Sequence, residues 1–221
     1  MSASAPSTPL PRQNPTVAFW PLFTWLALQM LALLAAACRI PFSARFIVPE
    51  EQLALHEMFT VQMIASALLF PLLFRTRATG LLAIAATPLM VQLAGVLAAQ
   101  TEMIPLTLAC AYPTLWLLGL GLWSHALGDA PKAKLYGVAA ASLLVVGGTL
   151  VAYLDREFGA PAQTFDWARH GYQGPLVGGI TLLEAGGWTG TVWVFMGTFL
   201  LSGLIATTAR WWIERNRLKP A

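Results

Sequence analysis

Charged side chains are scarce in this sequence: they make up 10% of the 221 residues, whereas hydrophobic residues make up 57%. A soluble globular domain carries about 25% charged residues, so a water-soluble fold of this composition would expose a largely apolar surface. The scarcity excludes a soluble enzyme, a nucleic-acid-binding module and a disordered protein. The formal charge of +3 does not indicate a nucleic-acid partner, because the basic residues do not cluster on one soluble face. The sequence predicts an all-α membrane protein surrounded by the lipid bilayer.

Cysteine and catalytic motifs are equally sparse. Two cysteines are too few for a disulfide scaffold. The sequence has no C-x-x-C, H-x-x-x-H or C-x-x-C-H spacing of metal or haem ligands. It also has no G-x-S-x-G nucleophile elbow, no H-E-x-x-H zinc site and no P-loop. These absences argue against a hydrolase, and the sequence does not predict an enzyme that acts on its own.

Long apolar segments are what the sequence has instead. A helix needs about 20 apolar residues to cross the hydrocarbon core. Each candidate segment is apolar around its whole circumference, which favours a span over an amphipathic surface helix. The sequence therefore predicts six transmembrane helices within a domain of residues 17–210, at residues 17–38, 53–74, 79–99, 105–126, 135–154 and 188–209. Small residues at 119–121, 139–142 and 147–148 predict faces where helices approach closely.

The loop charges predict the orientation of these spans. Nine of the thirteen basic residues fall in the two tails and in the second-to-third and fourth-to-fifth loops, which is typical of cytoplasmic segments. Both termini are then cytoplasmic, as a disordered tail of residues 1–16 and a second tail of residues 211–221, in a multi-pass protein of the inner membrane. Residues 155–187 form a long exterior loop between helices 5 and 6. The Ala-Ala-Ala-Cys sequence at 35–38 resembles a signal-peptidase site, but the first span is longer than a usual signal sequence, so we expect an uncleaved anchor.

Two ionisable residues begin the second span. His56 and Glu57, followed by Met58, lie about one turn into the helix on its exterior side. Ionisable groups within a span are expensive to bury and are functional candidates by default. His56 is a candidate ligand of a metal or haem, and Glu57 is a candidate proton relay or quinone contact. The alternative is that both side chains lie at headgroup depth and reach water.

Further soft ligands are predicted at the same depth of the membrane. Cys38 ends the first span, Cys110 lies near the start of the fourth, and His170 lies in the exterior loop. Thiolate and thioether groups together with imidazole suit copper or haem iron better than hard cations. We therefore regard His56, Cys38, Cys110 and His170 as candidate metal ligands. A disulfide between Cys38 and Cys110 is the alternative on an oxidising side of the membrane.

The sequence His56-Glu57-Met58-Phe59 resembles the NnrS family of haem- and copper-containing membrane proteins. Those proteins carry a His-Glu-Met motif at the start of the second helix, after an aromatic-rich first helix. Here the first helix contains Phe-Trp-Pro-Leu-Phe at residues 19–23, and a basic turn with Arg75 and Arg77 follows the second. The chain has fewer spans than that family. The resemblance implies that His56 is a haem or copper ligand.

Three functions are consistent with these features. The first is a structural or assembly subunit of a larger respiratory or redox membrane complex, with other membrane subunits as partners. The second is a haem- or copper-binding membrane protein that uses His56 near the outer face, with Glu57 and Met58 beside the cofactor. The third is a small transporter or channel, because Gln29, Gln92 and Glu57 lie within spans.

Overall fold

The computed structural model describes residues 15–37, 53–97, 103–158, 175–176 and 190–217. Over these ranges the chain forms six helices and no strand, which confirms the all-α class. The helices are α1 Pro15–Ala37, α2 Leu53–Leu73, α3 Arg77–Leu97, α4 Met103–Leu127, α5 Pro131–Phe158 and α6 Gly190–Arg217.

Four stretches of these helices are long and apolar enough to cross a membrane: Leu55–Leu73, Arg77–Val96, Pro131–Leu150 and Val192–Arg217. A shorter apolar stretch, Phe19–Ala35, lies in α1. The described part of the chain thus has the apolar helices of a multi-pass membrane protein. In α5 and α6 most of the apolar stretch is exposed, with 17% and 22% of it buried inside the protein. Those two helices therefore lie at the periphery of the bundle.

Helix α2 occupies the centre of the bundle. It packs against α1, α3, α4 and α5, whereas α6 packs against α4 alone among the described helices. The contacts also fix the helix directions. Trp193 of α6 lies against Tyr112 of α4, and Phe199 lies against Trp116 further along both helices, so α4 and α6 are parallel. Gln62 of α2 meets α3 at Thr87 while Leu73 of α2 meets it at Thr79, so those two helices are antiparallel.

Hydrogen bonds in the apolar interior join four helices. The amide nitrogen Nε2 of Gln62 donates to Oε1 of Gln29 in α1 at 3.1 Å and to the carbonyl of Thr87 in α3 at 3.3 Å. One turn further along α2, the Ser66 hydroxyl accepts a hydrogen bond from Nε1 of Trp116 in α4 at 3.0 Å. All five of these residues are buried. Because no water competes for these groups inside the bundle, each hydrogen bond fixes the position of one helix against another.

Aromatic rings packed against glycines bring the helices close together. The Phe74 ring lies against Gly80 of α3 and Gly121 of α4, where a Cβ would come within 2.5 Å and 2.6 Å of ring carbons. The Phe199 ring of α6 lies so close to Gly119 that a Cβ there would overlap it. The prediction that residues 119–121 form a close-contact face is therefore confirmed. Gly147 behaves differently, because the nearest atom to a Cβ there is Cγ of Leu143, in its own helix, at 3.9 Å.

Candidate functional site

The His56-Glu57 pair lies inside the protein. His56 is 2% exposed, and Glu57, Met58 and Phe59 are 0% exposed. Four helices surround α2, so even consecutive residues that point about 100° apart on the helix are covered. The expectation that both side chains reach water at headgroup depth is therefore wrong. The pair is a buried polar site at the first turns of the central helix.

The imidazole of His56 has one nitrogen that is not used within the described structure. Its Nε2 atom is buried and has no hydrogen-bond partner among the described residues. The backbone carbonyl of His56 accepts a hydrogen bond from the Thr60 hydroxyl at 2.9 Å, which is an ordinary contact within a helix. A neutral imidazole carries one lone pair, and a buried nitrogen of this kind is suited to a proton, a hydrogen-bond donor or a metal ion.

The surroundings of the pair are apolar and rich in sulfur. Met58 and Met63 of α2 belong to the same cluster of buried hydrophobic residues as Cys110 of α4. The Cys110 thiol is 3.7 Å from the carbonyl of Pro88, to which it donates a weak hydrogen bond. Leu176, in the predicted exterior loop, is buried in this cluster as well. This part of the loop therefore packs onto the helix bundle.

The four candidate metal ligands do not form a closed site within the described ranges. No three side chains of histidine, cysteine, aspartate or glutamate come together there in a way that would hold a metal ion. Cys38 and His170 lie outside the described residues. The third histidine, His125, is exposed at the far end of α4. The end of α2 at Leu73 is about 26 Å from His56 at about 1.5 Å per residue. His125 is near that end, so it and His56 lie at opposite ends of the bundle.

Gln29 and Gln92, two of the polar residues on which the transporter prediction rests, have different surroundings. Gln29 is buried and hydrogen-bonded to Gln62, so its role is to hold α1 against α2. Gln92 is exposed on α3. The sequence analysis did not identify Gln62 and Ser66 as interior polar residues. They are one helical turn apart in an apolar part of α2, and this spacing indicates a polar face on the helix. The transport alternative stays a prediction that depends on Glu57.

Comparisons with models of protein families, with curated proteins and with solved structures find no match to this chain. The resemblance at His56-Glu57-Met58 to haem- and copper-containing membrane proteins therefore stays a prediction.

Proposed function

We propose that this protein is an integral subunit of a larger redox membrane complex and supplies His56 as a ligand to a haem or copper centre. The observation that supports the proposal is the Nε2 atom of His56, which is buried and without a hydrogen-bond partner in the described part of the chain. Burying an imidazole in an apolar bundle has a cost, and a bound ligand at Nε2 would offset it.

The chemistry around His56 suits a soft or borderline metal. Imidazole binds copper and iron, and thioether or thiol groups such as those of Met58 and Cys110 favour copper(I) and haem iron over hard cations. The apolar cluster around them would keep water from the centre and would tune its potential. Glu57, the adjacent residue, is a candidate for holding a proton beside the cofactor.

The incomplete ligand set supports a shared centre. No three histidine, cysteine, aspartate or glutamate side chains come together among the described residues, so a centre bound at His56 would need further ligands from elsewhere. Cys38 and His170 are the candidates within this chain, and a partner subunit is the candidate outside it. The exposed apolar faces of α5 and α6 offer surfaces for lipid and for such a partner.

We also propose that the chain crosses the inner membrane six times, with both termini in the cytoplasm. The support is the alternation of helix directions, which brings the start of α1 and the end of α6 to one end of the bundle. Leu22 near the start of α1 packs in one cluster with Leu73 at the end of α2. Basic residues concentrate at that same end, as cytoplasmic loops require.

The test is an absorption spectrum combined with metal analysis on protein extracted gently from cells supplied with iron and copper. We expect a Soret band or stoichiometric copper in the wild type and its loss in His56→Ala. The matched control is His125→Ala, which removes an exposed imidazole at the other end of the bundle and should leave the spectrum unchanged.

Gel filtration separates loss of the ligand from loss of the fold, because a folded His56→Ala variant keeps the elution volume of the wild type. Partner subunits that accompany the coloured protein would identify the complex. A colourless, metal-free wild type that migrates as a lone monomer would contradict the proposal.

A further inference from the structure

A cavity of about 380 Å³ lies at the end of the bundle opposite His56. It is bounded by the ends of α2, α4 and α6 and by the starts of α3 and α5. We call it the arginine cavity, because four cations line it, Arg75, Arg77, Lys134 and Arg210, opposed by two carboxylates, Asp129 and Glu214. The described lining thus carries a net charge of about +2 at neutral pH.

Arg210 is held rigidly in this wall. Its Nη1 atom donates to the carbonyls of His125 at 2.9 Å and Ala126 at 3.3 Å, which are carbonyls at the end of α4. Its Nε atom donates to Oε1 of Glu214 at 2.6 Å. Gly128 has a φ of +68°, and a Cβ there would overlap the guanidinium group. The glycine is therefore needed both for the backbone conformation and for the close approach of Arg210.

The other cations of the cavity divide into paired and unpaired groups. Lys134 forms an ion pair with Asp129 at 3.0 Å. Its hydrogen bond and its charge lower the pKa of the Asp129 carboxyl, and the charges of Arg210 and Arg75 act in the same direction. Arg75 and Arg77 are exposed and form neither an ion pair nor a side-chain hydrogen bond with any described residue. Two guanidinium groups are thus available to an incoming anion.

An apolar groove adjoins the arginine cavity. It is an open groove of about 470 Å³ that shares Asp129, Arg210 and Glu214 with the cavity. Arg217 adds a further cation, and the rest of its lining is apolar: Ala126, Leu127, Ala130, Ala206, Ala209 and Ile213. The groove exists because α5 and α6 both flank the end of α4 without contacting each other. Its residues 213–217 follow the predicted sixth span, so the groove and the cavity lie at the level of the lipid headgroups rather than in the hydrocarbon.

We propose that the arginine cavity binds the phosphate group of an anionic lipid, with Arg75 and Arg77 as its free ligands. Guanidinium groups bind phosphate oxygens in a bidentate geometry and retain their charge at any physiological pH. Basic pockets between membrane helices are suited to anionic headgroups. The same cations would also bind free inorganic phosphate, so the experiment must separate the two sources.

The experiment measures binding of phosphatidylglycerol to delipidated protein in a neutral detergent, by native mass spectrometry and by the rise in melting temperature. Arg75→Gln should weaken binding about fivefold, the effect of one basic residue near an anionic headgroup. The matched control is Arg215→Gln, which removes the same charge from a residue that does not line the cavity and only stacks on Trp211, a residue of its wall. That control should retain nearly the affinity of the wild type.

We expect a second variant to strengthen lipid binding, a result that loss of the folded structure would not produce. Asp129→Asn removes a carboxylate from the cavity and releases Lys134, so we expect phosphatidylglycerol to bind more tightly. A titration with inorganic phosphate at matched ionic strength identifies the source. If phosphatidylglycerol stays bound in the presence of inorganic phosphate, the proposal is supported. If inorganic phosphate binds saturably, and Arg75→Gln and Asp129→Asn change its affinity as they change that of the lipid, the cavity takes free phosphate from solution and the lipid proposal is wrong. Equal weakening by Arg75→Gln and Arg215→Gln, or no gain from Asp129→Asn, would overturn the proposal.

Discussion

Ser66 is the residue through which α2 and α4 share a hydrogen bond deep in the bundle. Its hydroxyl accepts from Nε1 of Trp116, and both residues are at most 2% exposed. The same hydroxyl donates back to the carbonyl of Met63 or of Gln62 in its own helix. Interhelical hydrogen bonds of this kind in membrane proteins contribute about 0.6 kcal/mol on average and up to about 1.7 kcal/mol.

Replacement of this serine tests that contribution. Ser66→Ala leaves the indole N–H of Trp116 buried without its acceptor, so we expect a loss of about 1 kcal/mol of unfolding free energy. For a chain of this size the melting temperature in detergent should fall by about 2–4 °C. The control is Ser202→Ala on α6, where an exposed hydroxyl bonds only the carbonyl of Phe199 in its own helix. An equal fall in both variants would show that the bond to Trp116 contributes nothing.

At the scale of single residues, the sequence shows which side chains are unusual in a membrane span but not which residues they contact. His56 and Glu57 stand out because ionisable residues are rare in an apolar span, and the structure buries both. The contact of Arg210 with the end of α4 joins residues 84 and 85 positions apart. No local pattern indicates such a contact, since it depends on which helices become neighbours.

Among the helices, the α4–α6 interface relies on one aromatic ring that fits a glycine. The Phe199 ring stacks on Trp116, with ring centroids 4.7 Å apart, and covers Gly119. Trp193 adds an edge contact to Tyr112 at 6.2 Å. Because α6 has no other described helix as a neighbour, these contacts and the Arg210 bonds hold it in place.

A single methyl group should therefore loosen α6. In Gly119→Ala the new Cβ overlaps the Phe199 ring, and the stack on Trp116 must shift. We expect a loss of about 1–3 kcal/mol from overpacking, which exceeds the gain of about 1 kcal/mol in helix propensity. Gly197→Ala is the matched control, because nothing lies within 4 Å of a Cβ at that position of α6. Thermal unfolding in detergent distinguishes the two, and a Gly119→Ala variant as stable as the control would refute this account of the interface.

Helix boundaries show where hydropathy is informative and where it is not. The predicted fourth span, residues 105–126, coincides with a helix, α4 Met103–Leu127, but α4 is not among the four described stretches that are long and apolar enough to cross a membrane. The predicted sixth span ended at residue 209, whereas α6 continues to Arg217. Hydropathy reports only the length in contact with hydrocarbon, and a helix of 28 residues is about 42 Å long, which exceeds the apolar thickness of a bilayer. The helix therefore extends past the predicted span into the basic segment that follows it.

For the molecule as a whole, the sequence indicates the class but not the arrangement. Spans that are apolar on every side have no face that marks the interior, since lipid is as apolar as a leucine side chain. The central position of α2 follows from Gln62, Ser66 and the His56-Glu57 pair, which all need protein neighbours. Small residues were the available indication of helix contacts, and at Gly119 and Gly121 the structure places aromatic rings against both.

The proposed topology makes a prediction about accessibility across the membrane. In a background with Cys38→Ser and Cys110→Ser, a membrane-impermeant maleimide should label Gln163→Cys in intact cells. Lys132→Cys, in the first turn of α5, should react only after the membrane is opened, because the basic segments face the cytoplasm. The reverse pattern would invert the orientation, and labelling of both sites from outside would contradict the six-span arrangement.

The polar interior also has a consequence for the order in which this protein is made. Within the described ranges, the hydrogen bonds that join α1, α2, α3 and α4 use no residue beyond Trp116. Synthesis of the chain from Trp116 to Arg217 takes about 5–20 s at usual rates of translation. The first four helices therefore have time to pair in the membrane while the ribosome is still adding the last two. Helix α6 then completes the buried cluster, to which it contributes Val192 and Met196, so we expect assembly to end with the addition of one helix against α4.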